Sequence, residues 1–199
     1  MHNASTHPRQ SLARQISGAL FCVRLWVITG ALLFFASTVR ADPSKEYGIK
    51  AAFLYNFTQF VDWPTNSFAD ANAPLTIGIL GNDPFGDALD EIVRGEKANG
   101  HPLVVKRFQA GEPITDCHIL FISQSEAKRI NEILEDLKGR CVLTVGETDG
   151  FAQSGGMIRF VTEKNKIRLR INVDAAHAVN LSLSSRLLRL AEIVGTQKE

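Results

Sequence analysis

The chain has 199 residues, of which 45% are hydrophobic and 22% charged, and its 22 basic and 21 acidic side chains give a formal net charge of +1. Nucleic-acid-binding proteins normally carry a clustered basic face, whereas the basic and acidic residues of this chain are nearly equal in number. The composition therefore gives no support to a nucleic-acid partner.

The first 41 residues differ in character from the rest. They contain four arginines and no acidic residue, an apolar run at Leu25–Ala36, and a Val39-Arg40-Ala41 sequence with small residues at the spacing of a cleavage site. These features are typical of a secretory signal peptide. The apolar run is shorter than the ~20 residues that span a bilayer as a helix. We predict a cleaved signal peptide over residues 1–41, with an uncleaved membrane anchor as the alternative.

The predicted mature chain, residues 42–199, has the length of one ordinary domain with a proper core. Loss of the four arginines leaves 18 basic residues against 21 acidic ones, a formal charge of −3. Export also argues against an enzyme that depends on ATP or NAD, because these cofactors are scarce outside the cytoplasm.

The first predicted element of the mature chain is a helix at Tyr47–Pro64. Pro64 ends it, because proline disfavours helical dihedrals at Trp63 and lacks a backbone N–H donor. The main interpretation is a core helix that lies on a sheet, and the alternative is that its end at Trp63 contacts a partner or a ligand. Spacings of three and four place a broad apolar stripe on one side of this helix: Ile49, Phe53, Phe57, Phe60 and Val61.

Apolar runs then alternate with amphipathic segments. One predicted helix covers Pro84–Val93 with Asp83 as its N-cap, and another begins at Ser123, whose spacing to Glu126 is that of a capping box. Such alternation predicts a three-layer α/β sandwich, in which a largely parallel sheet carries helices on both faces. The predicted strands are Leu75–Leu80, Leu103–Phe108, His118–Ile122 and Cys141–Val145.

The last third of the chain follows a different pattern. Met157–Thr162 and Ile167–Asn172 alternate apolar and polar residues around a polar turn, which predicts a C-terminal antiparallel hairpin. A helix is predicted from Asp174, and the apolar spacing over Leu181–Val194 predicts a further helix that includes Leu187.

The mature chain contains no recognisable catalytic or metal-binding motif. The Gly81–Gly86 loop lacks the glycine spacing of phosphate-binding loops. The three histidines of the mature chain lie in different predicted elements, without chelating spacing: His101, His118 and His177. We therefore predict a non-enzymatic protein with no catalytic residue, metal or cofactor. An exported hydrolase that uses Glu147 or Asp149 is the least favoured alternative.

Two cysteines remain in the mature chain, Cys117 and Cys141, and each precedes or begins an apolar strand. The starts of two neighbouring parallel strands lie about 5 Å apart, which a disulfide accepts. An oxidising compartment favours such a bond. We predict a Cys117–Cys141 disulfide, and the alternative is two small buried side chains that never meet.

Three stretches together resemble the YfiR family of small exported bacterial proteins: Lys50–Pro64, Cys117–Ser123 and Gly155–Val194. The resemblance covers essentially the whole mature chain. It implies a periplasmic regulator, because the best-known member of the family represses an inner-membrane diguanylate cyclase by binding the periplasmic sensor domain of that enzyme. This lowers cyclic di-GMP and biofilm formation. The resemblance also implies a homodimer.

The sequence departs from that member at its cysteines. There the cysteine that matches Cys117 pairs with one in the first strand of the sheet, where this chain has Gly78. A second cysteine pair in the segment that matches Gly150–Phe160 is missing here. The redox response of the best-known member is therefore not implied for this chain.

Two functional hypotheses follow, each with its own residues. A regulatory binding protein would dock on a membrane sensor through Phe60, Trp63 and Leu187. A periplasmic small-molecule binding protein would instead have a pocket at the carboxyl ends of the strands, near Asn82, Ser123 and Glu147.

Overall fold

A computed structural model describes residues 43–195 of the chain. The predicted signal peptide and its cleavage site lie outside the described residues. The α-helices of the described part are α1 (Pro43–Phe60), α2 (Asp87–Val93), α3 (Ile130–Asp136), α4 (Val173–His177) and α5 (Ser185–Leu188). Its strands are β1 (Val61–Asp62), β2 (Leu75–Leu80), β3 (Lys97–Ala98), β4 (His101–Phe108), β5 (Ile119–Ile122), β6 (Leu143–Gly146), β7 (Ile158–Glu163), β8 (Lys166–Ile171), β9 (Ser182–Leu183) and β10 (Ala191–Ile193).

The centre of the fold is an eight-stranded sheet with the order β10-β8-β7-β6-β5-β2-β4-β3. Strands β4, β2, β5, β6 and β7 pair in parallel, and β10 is parallel to β8. The β7–β8 hairpin is antiparallel, as predicted, and its turn residues Lys164 and Asn165 have positive φ angles. Such angles give a two-residue turn the twist of the strands it joins.

Helices cover both faces of the sheet, so the predicted three-layer α/β sandwich is confirmed. On one face, Leu54 and Phe57 of α1 and Leu89 of α2 are fully buried against the sheet. On the other face, Ile130 and Ile133 of α3 pack on the second core. The middle strands need apolar residues on both sides, and every residue of β2, β5 and β6 is buried.

Helix α1 differs from its prediction in length and in orientation. It ends at Phe60 rather than Pro64, because Val61 and Asp62 form β1 and pair with β9. Its buried side includes Ala51, Leu54 and Phe57, whereas Ile49 of the predicted stripe is 43% exposed. The predicted stripe was therefore displaced around the helix. No helix within residues 43–195 combines the length and apolar character that a membrane span requires.

The predicted helix over Leu181–Val194 is wrong. This stretch instead forms β9, the short helix α5 and β10. The hydroxyl of Ser184 accepts the N–H of Leu187 and so caps α5, and the N–H of Ser184 donates to the carbonyl of Phe60. Pairing with β1 and β8 outweighs the helical periodicity of the leucines, which is a weak local preference.

The helix predicted from Asp174 is present as α4, which begins at Val173. Two other predicted helices begin later than expected. The Asp83 carboxylate accepts the N–H groups of Phe85 and Gly86, so residues 83–86 form a turn and α2 starts at Asp87. The Ser123 hydroxyl caps the next segment, as predicted, but residues 124–129 form a 3-10 helix before α3 begins.

Candidate functional site

The segment between β1 and β2, residues 63–74, closes the amino-terminal edge of the sheet. Phe68 lies at its centre between two imidazole rings. Its ring centroid is 3.8 Å from that of His101 and 4.5 Å from that of His118, and both pairs are stacked. Stacking of this kind contributes beyond the burial of apolar area. Phe68 therefore fastens the segment to β4 and to the start of β5.

His118 bonds through one ring nitrogen to this segment and through the other to β2. Its Nδ1 accepts the N–H of Thr76 at 3.1 Å, and its Nε2 lies 3.1 Å from the carbonyl oxygen of Ser67. An N–H donor on one side and a carbonyl on the other require a neutral ring with its proton on Nε2. Burial of the ring lowers the pKa of His118, which favours the same neutral form.

His101 makes the second polar anchor. Its Nδ1 donates to the carbonyl oxygen of Ala73 at 2.7 Å. Within the segment, the Asp70 carboxylate accepts the N–H of Asn72. The two histidines thus bind the segment at Ser67 and Ala73, on either side of Phe68, and hold the phenyl ring between them.

A groove with a volume of about 560 Å³ lies beside this segment. Trp63 forms part of its wall, and the indole N–H of Trp63 is buried without a hydrogen-bond partner. Exposed carboxylates of Asp62 and Asp70 lie at the same groove. Aromatic walls with an acidic rim suit an apolar group that carries a positive charge. The lining also includes Phe68, Asn99 and His101.

The residues predicted to contact a partner have different surroundings. Trp63 lines the groove, and Phe60 is half-buried at the end of α1. Leu187 is only 1% exposed, because α5 directs it into the core that it shares with the buried residues of α1 and of the sheet. Leu187 therefore belongs to the core, and the prediction that it lies on a docking surface is wrong.

At the carboxyl ends of the strands, away from the groove at their amino ends, Glu147 follows β6 and is part of a charged cluster. Lys50 is 3% exposed, and its Nζ lies 2.6 Å from Glu147 Oε2 and 2.7 Å from Glu46 Oε1. Tyr47 donates its hydroxyl to the other oxygen of Glu147 at 3.0 Å. Burial, together with the Glu147 charge, raises the pKa of Tyr47. This cluster ties α1 to the carboxyl end of β6.

The polar groups of the predicted small-molecule pocket are largely engaged within the fold. The Glu147 carboxylate is bound by Lys50 and Tyr47, and the Ser123 hydroxyl accepts the N–H of Ser125. The backbone N–H of Asn82 donates to the Ser125 hydroxyl. A structural role is therefore sufficient to explain the presence of all three residues.

The two acids considered for a hydrolase also have separate partners. Glu147 is bound by Lys50, whereas Asp149 is almost fully exposed and pairs with Arg159 of β7. Within residues 43–195, no three side chains of His, Cys, Asp and Glu converge as a metal site.

Cys117 and Cys141 are free thiols in the structure, so the predicted disulfide between them is absent. Strands β5 and β6 are parallel neighbours with Ile119 beside Leu143, as the prediction required. However, the Cys117 thiol packs in the core beneath α3, whereas the Cys141 thiol donates to the Val179 carbonyl on the α1 side. The two side chains leave opposite faces of the sheet, although the two strands begin side by side.

Sequence reasoning missed Phe68 and the groove. Phe68 lies in a polar connection without periodicity, and its partners His101 and His118 are 33 and 50 positions further along the chain. The only signal was the aromatic character of Trp63 at the end of the predicted helix.

Comparison with known proteins completes the description of the site. A family model described as YfiR/HmsC-like matches residues 47–192. The match covers 146 of the 199 residues and includes most of α1, the groove and both histidines that hold Phe68. A search of curated proteins gives no match.

Proposed function

Because the chain belongs to the YfiR/HmsC-like family, we propose that it is an exported regulator that represses an inner-membrane diguanylate cyclase. It would bind the periplasmic sensor domain of the cyclase and so lower the production of cyclic di-GMP. The observation that carries this proposal is the family match over residues 47–192. The protein would act by binding alone, without catalysis or a cofactor.

The groove at the amino-terminal edge of the sheet is the docking surface that we propose. Trp63 forms part of its wall with a buried indole N–H that lacks a partner, and tryptophan is enriched among the residues that dominate binding energy. Phe60 is half-buried at the end of α1, just before β1. Asp62 and Asp70 favour a basic patch on the sensor domain, because complementary charge steers association.

The first experiment measures cellular cyclic di-GMP after deletion of the gene and after complementation. We expect the level to rise on deletion and to return to the original level when the wild-type gene is restored. An unchanged level in cells that normally express the protein would contradict a role in cyclase repression.

The second experiment tests the groove with purified mature protein and the isolated periplasmic domain of the cyclase, by calorimetry. Asp62 is exposed, so Asp62→Lys changes the rim charge with little effect on folding, and we expect at least about tenfold weaker binding. Ile49→Ala is the matched control, because Ile49 is an exposed apolar residue of α1 outside the groove. Equal affinities for the two variants would rule out the groove as the docking surface.

A periplasmic small-molecule binding protein is the second candidate, and the groove rather than the carboxyl edge of the sheet favours it. A volume of about 560 Å³ is within the range of ligand sites, and the unpartnered Trp63 N–H offers a donor. Native mass spectrometry of protein purified from the periplasm would detect a retained small molecule. Loss of that molecule in Trp63→Phe, which keeps the aromatic wall but removes the donor, would favour this second function.

The resemblance also implies a homodimer, which remains part of the proposal. Sedimentation of the mature chain over a range of concentrations would measure its oligomeric state.

A further inference from the structure

We propose that the free edge of β10 is a docking strand that pairs with an extended, acidic segment of a partner protein. Strand β10 is the last strand of the eight-stranded sheet, and it pairs only with β8 among the described residues. This surface is separate from the groove at Trp63, so it does not depend on the docking surface proposed above.

The backbone of β10 offers unpaired groups along this edge. In the parallel pair with β8, the N–H of Val194 donates to the carbonyl of Ile171. Alternate residues of a strand direct their N–H and C=O groups to opposite sides. The backbone groups of Ala191 and Ile193 therefore point away from β8, where an added strand would bond to them.

Apolar side chains accompany this edge. Four large hydrophobic residues are exposed in the described part of the chain, and two of them are Leu190 and Ile193, at 65% and 54% exposure. Leu190 immediately precedes β10, and Ile193 is its last residue. An added strand would remove part of both side chains from water, at roughly 25 cal/mol for each Å² of apolar surface buried.

The strand edge on the other side of the sheet carries more positive charge than β10. Strand β3 pairs only with His101 and Pro102, so the rest of β4 forms this edge, and it includes Lys106 and Arg107. Short edge strands and charged edge residues are the devices by which natural sheets discourage pairing with another chain. Strand β10 is also short, but no lysine or proline occurs in it and apolar residues stand at both of its ends.

The surrounding charge selects an acidic occupant. Arg170 and Glu192 pair at 2.9 Å and neutralise each other. Arg168 is 65% exposed and only 3.9 Å from Glu163, and Arg189 is exposed and has no ion pair among the described residues. A hollow of about 340 Å³ separates these side chains at the start of β10. Glu163 also lies 3.8 Å from Arg170, so the three arginines Arg168, Arg170 and Arg189 outnumber the two glutamates by one charge. Carboxylates of an added strand would meet this surplus at Arg189.

A second copy of this chain fits the edge less well. Antiparallel pairing of two β10 strands centred on Glu192 would place the two Glu192 carboxylates opposite each other, and like charges in that position are destabilising. In that register each Arg189 would lie opposite Gly195 of the other copy, so neither arginine would meet a carboxylate.

The test uses the mature chain and a labelled, extended peptide of about eight residues in which valine and glutamate alternate. We expect saturable binding, and we expect hydrogen exchange of the Ala191 and Ile193 amides to slow by at least about tenfold at saturation. A peptide with lysine in place of each glutamate is the charge control, and we expect it to bind at least about tenfold more weakly.

Two variants separate backbone pairing from charge. Ile193→Pro removes an N–H that faces away from β8, so it should abolish peptide binding and leave the thermal midpoint close to that of the wild type. Arg189→Glu should reverse the preference between the two peptides. If Ile193→Pro does not fold, a peptide N-methylated at alternate residues on its pairing edge replaces it and should fail to bind to the wild-type chain.

Three results would overturn the proposal. The first is unchanged exchange at Ala191 and Ile193 with the glutamate peptide at saturation. The second is equal binding of both peptides, which would remove the charge argument. The third is protection of these amides that grows with protein concentration in the absence of peptide, since this would identify a second copy as the occupant.

Discussion

His118 holds a connection of twelve residues in place with one ring. Its two nitrogens bond to backbone groups on either side of Phe68, and the phenyl ring stacks on the imidazole. The indole of Trp63 contacts the same imidazole edge-on, with ring centroids 6.4 Å apart. The wall of the groove therefore depends on the protonation state of a buried residue, because a proton on Nδ1 would leave the Thr76 N–H without its acceptor.

This dependence predicts that the protein loses stability as the pH falls. Burial lowers the pKa of folded His118, so the unfolded chain binds a proton first, below about pH 6.5. The contribution of neutral His118 to the free energy of unfolding is fully present above that pH. It decreases as the pH falls toward the pKa of His118 in the folded protein, with a slope of at most about 1.4 kcal/mol per pH unit for one proton. Urea unfolding of the mature chain between pH 8 and pH 5, about the range in which histidine titrates, measures it.

A matched pair of variants assigns the slope to this residue. His118→Gln removes the titrating ring and should flatten the curve, although it also lowers stability at pH 8. His177→Gln makes the same change at an exposed position of α4. Equal slopes for the two variants would mean that His118 is not the source of the pH dependence.

At the scale of single elements, the buried parallel strands could be predicted and the short paired ones could not. Strands such as β2 and β5 are buried on both faces, so a continuous apolar run identifies them. Strands β1, β9 and β10 have two or three residues and form only through partners distant in the chain. Local periodicity does not report on partners that are distant in the chain. The leucines of the last segment have helical spacing and therefore led to the wrong prediction of a helix.

The turn before β5 sets the direction of the Cys117 side chain, which the local sequence pattern could not predict either. Asp116 has a φ of 48°, and the Cys117 thiol lies on the α3 side, beside β2. A Cβ built on Gly78 would be 2.6 Å from that thiol. Gly78 is the position that the family resemblance matched to a cysteine, so the fold retains the approach of the two positions although one of the cysteines is missing.

Gly78→Cys should therefore form a disulfide with Cys117 in the oxidised mature chain. The bond would close a loop of about 40 residues, which is worth up to about 4 kcal/mol in the chain-entropy model. Crowding by Phe108 and Leu120, at 2.9 and 3.0 Å from the added Cβ, will reduce this gain. Thiol counting should find one free cysteine, Cys141, and the thermal midpoint should fall when the bond is reduced.

Gly78→Ser is the control, because it adds a side chain of similar size that cannot form the bond. We expect it to be less stable than the wild type at every redox potential, since its hydroxyl enters a tightly packed core. Three free thiols in oxidised Gly78→Cys would show that the approach is not close enough for a bond. Burial raises the pKa of the Cys117 thiol to about 12, so slow oxidation requires long equilibration before that conclusion.

At the scale of the whole molecule, the amino and carboxyl ends of the parallel strands differ in how their polar groups are engaged. The amino-terminal edge has the groove, with its aromatic wall and exposed carboxylates. At the carboxyl edge, Glu147 and Lys50 are nearly buried and satisfy each other. The sequence supplied Glu147 as a site candidate, since it follows an apolar strand, but it could not show that a lysine 97 positions earlier reaches the same carboxylate.

The Lys50–Glu147 pair joins the first helix of the described chain to the middle of the sheet, so breaking it should destabilise the whole fold. Removal of one partner from a buried ion pair leaves an uncompensated charge and costs about 3–5 kcal/mol. We expect Lys50→Met to lose stability in this range and Lys45→Met, at an exposed position of the same helix, to stay within about 0.5 kcal/mol of the wild type. Urea unfolding, followed by tryptophan fluorescence and by circular dichroism, measures both variants.

The double variant Lys50→Met/Glu147→Gln distinguishes a lost charge pair from lost packing. Without the unpaired carboxylate, it should recover part of the stability that Lys50→Met loses, and the coupling between the two sites should exceed about 0.5 kcal/mol. Tyr47 can still donate its hydroxyl to the amide oxygen of the new glutamine, so the remaining hydrogen bond is retained. Additive losses at the two positions would show that Lys50 acts through its hydrocarbon chain. The attachment of α1 would then rest on Leu54 and Phe57 rather than on charge.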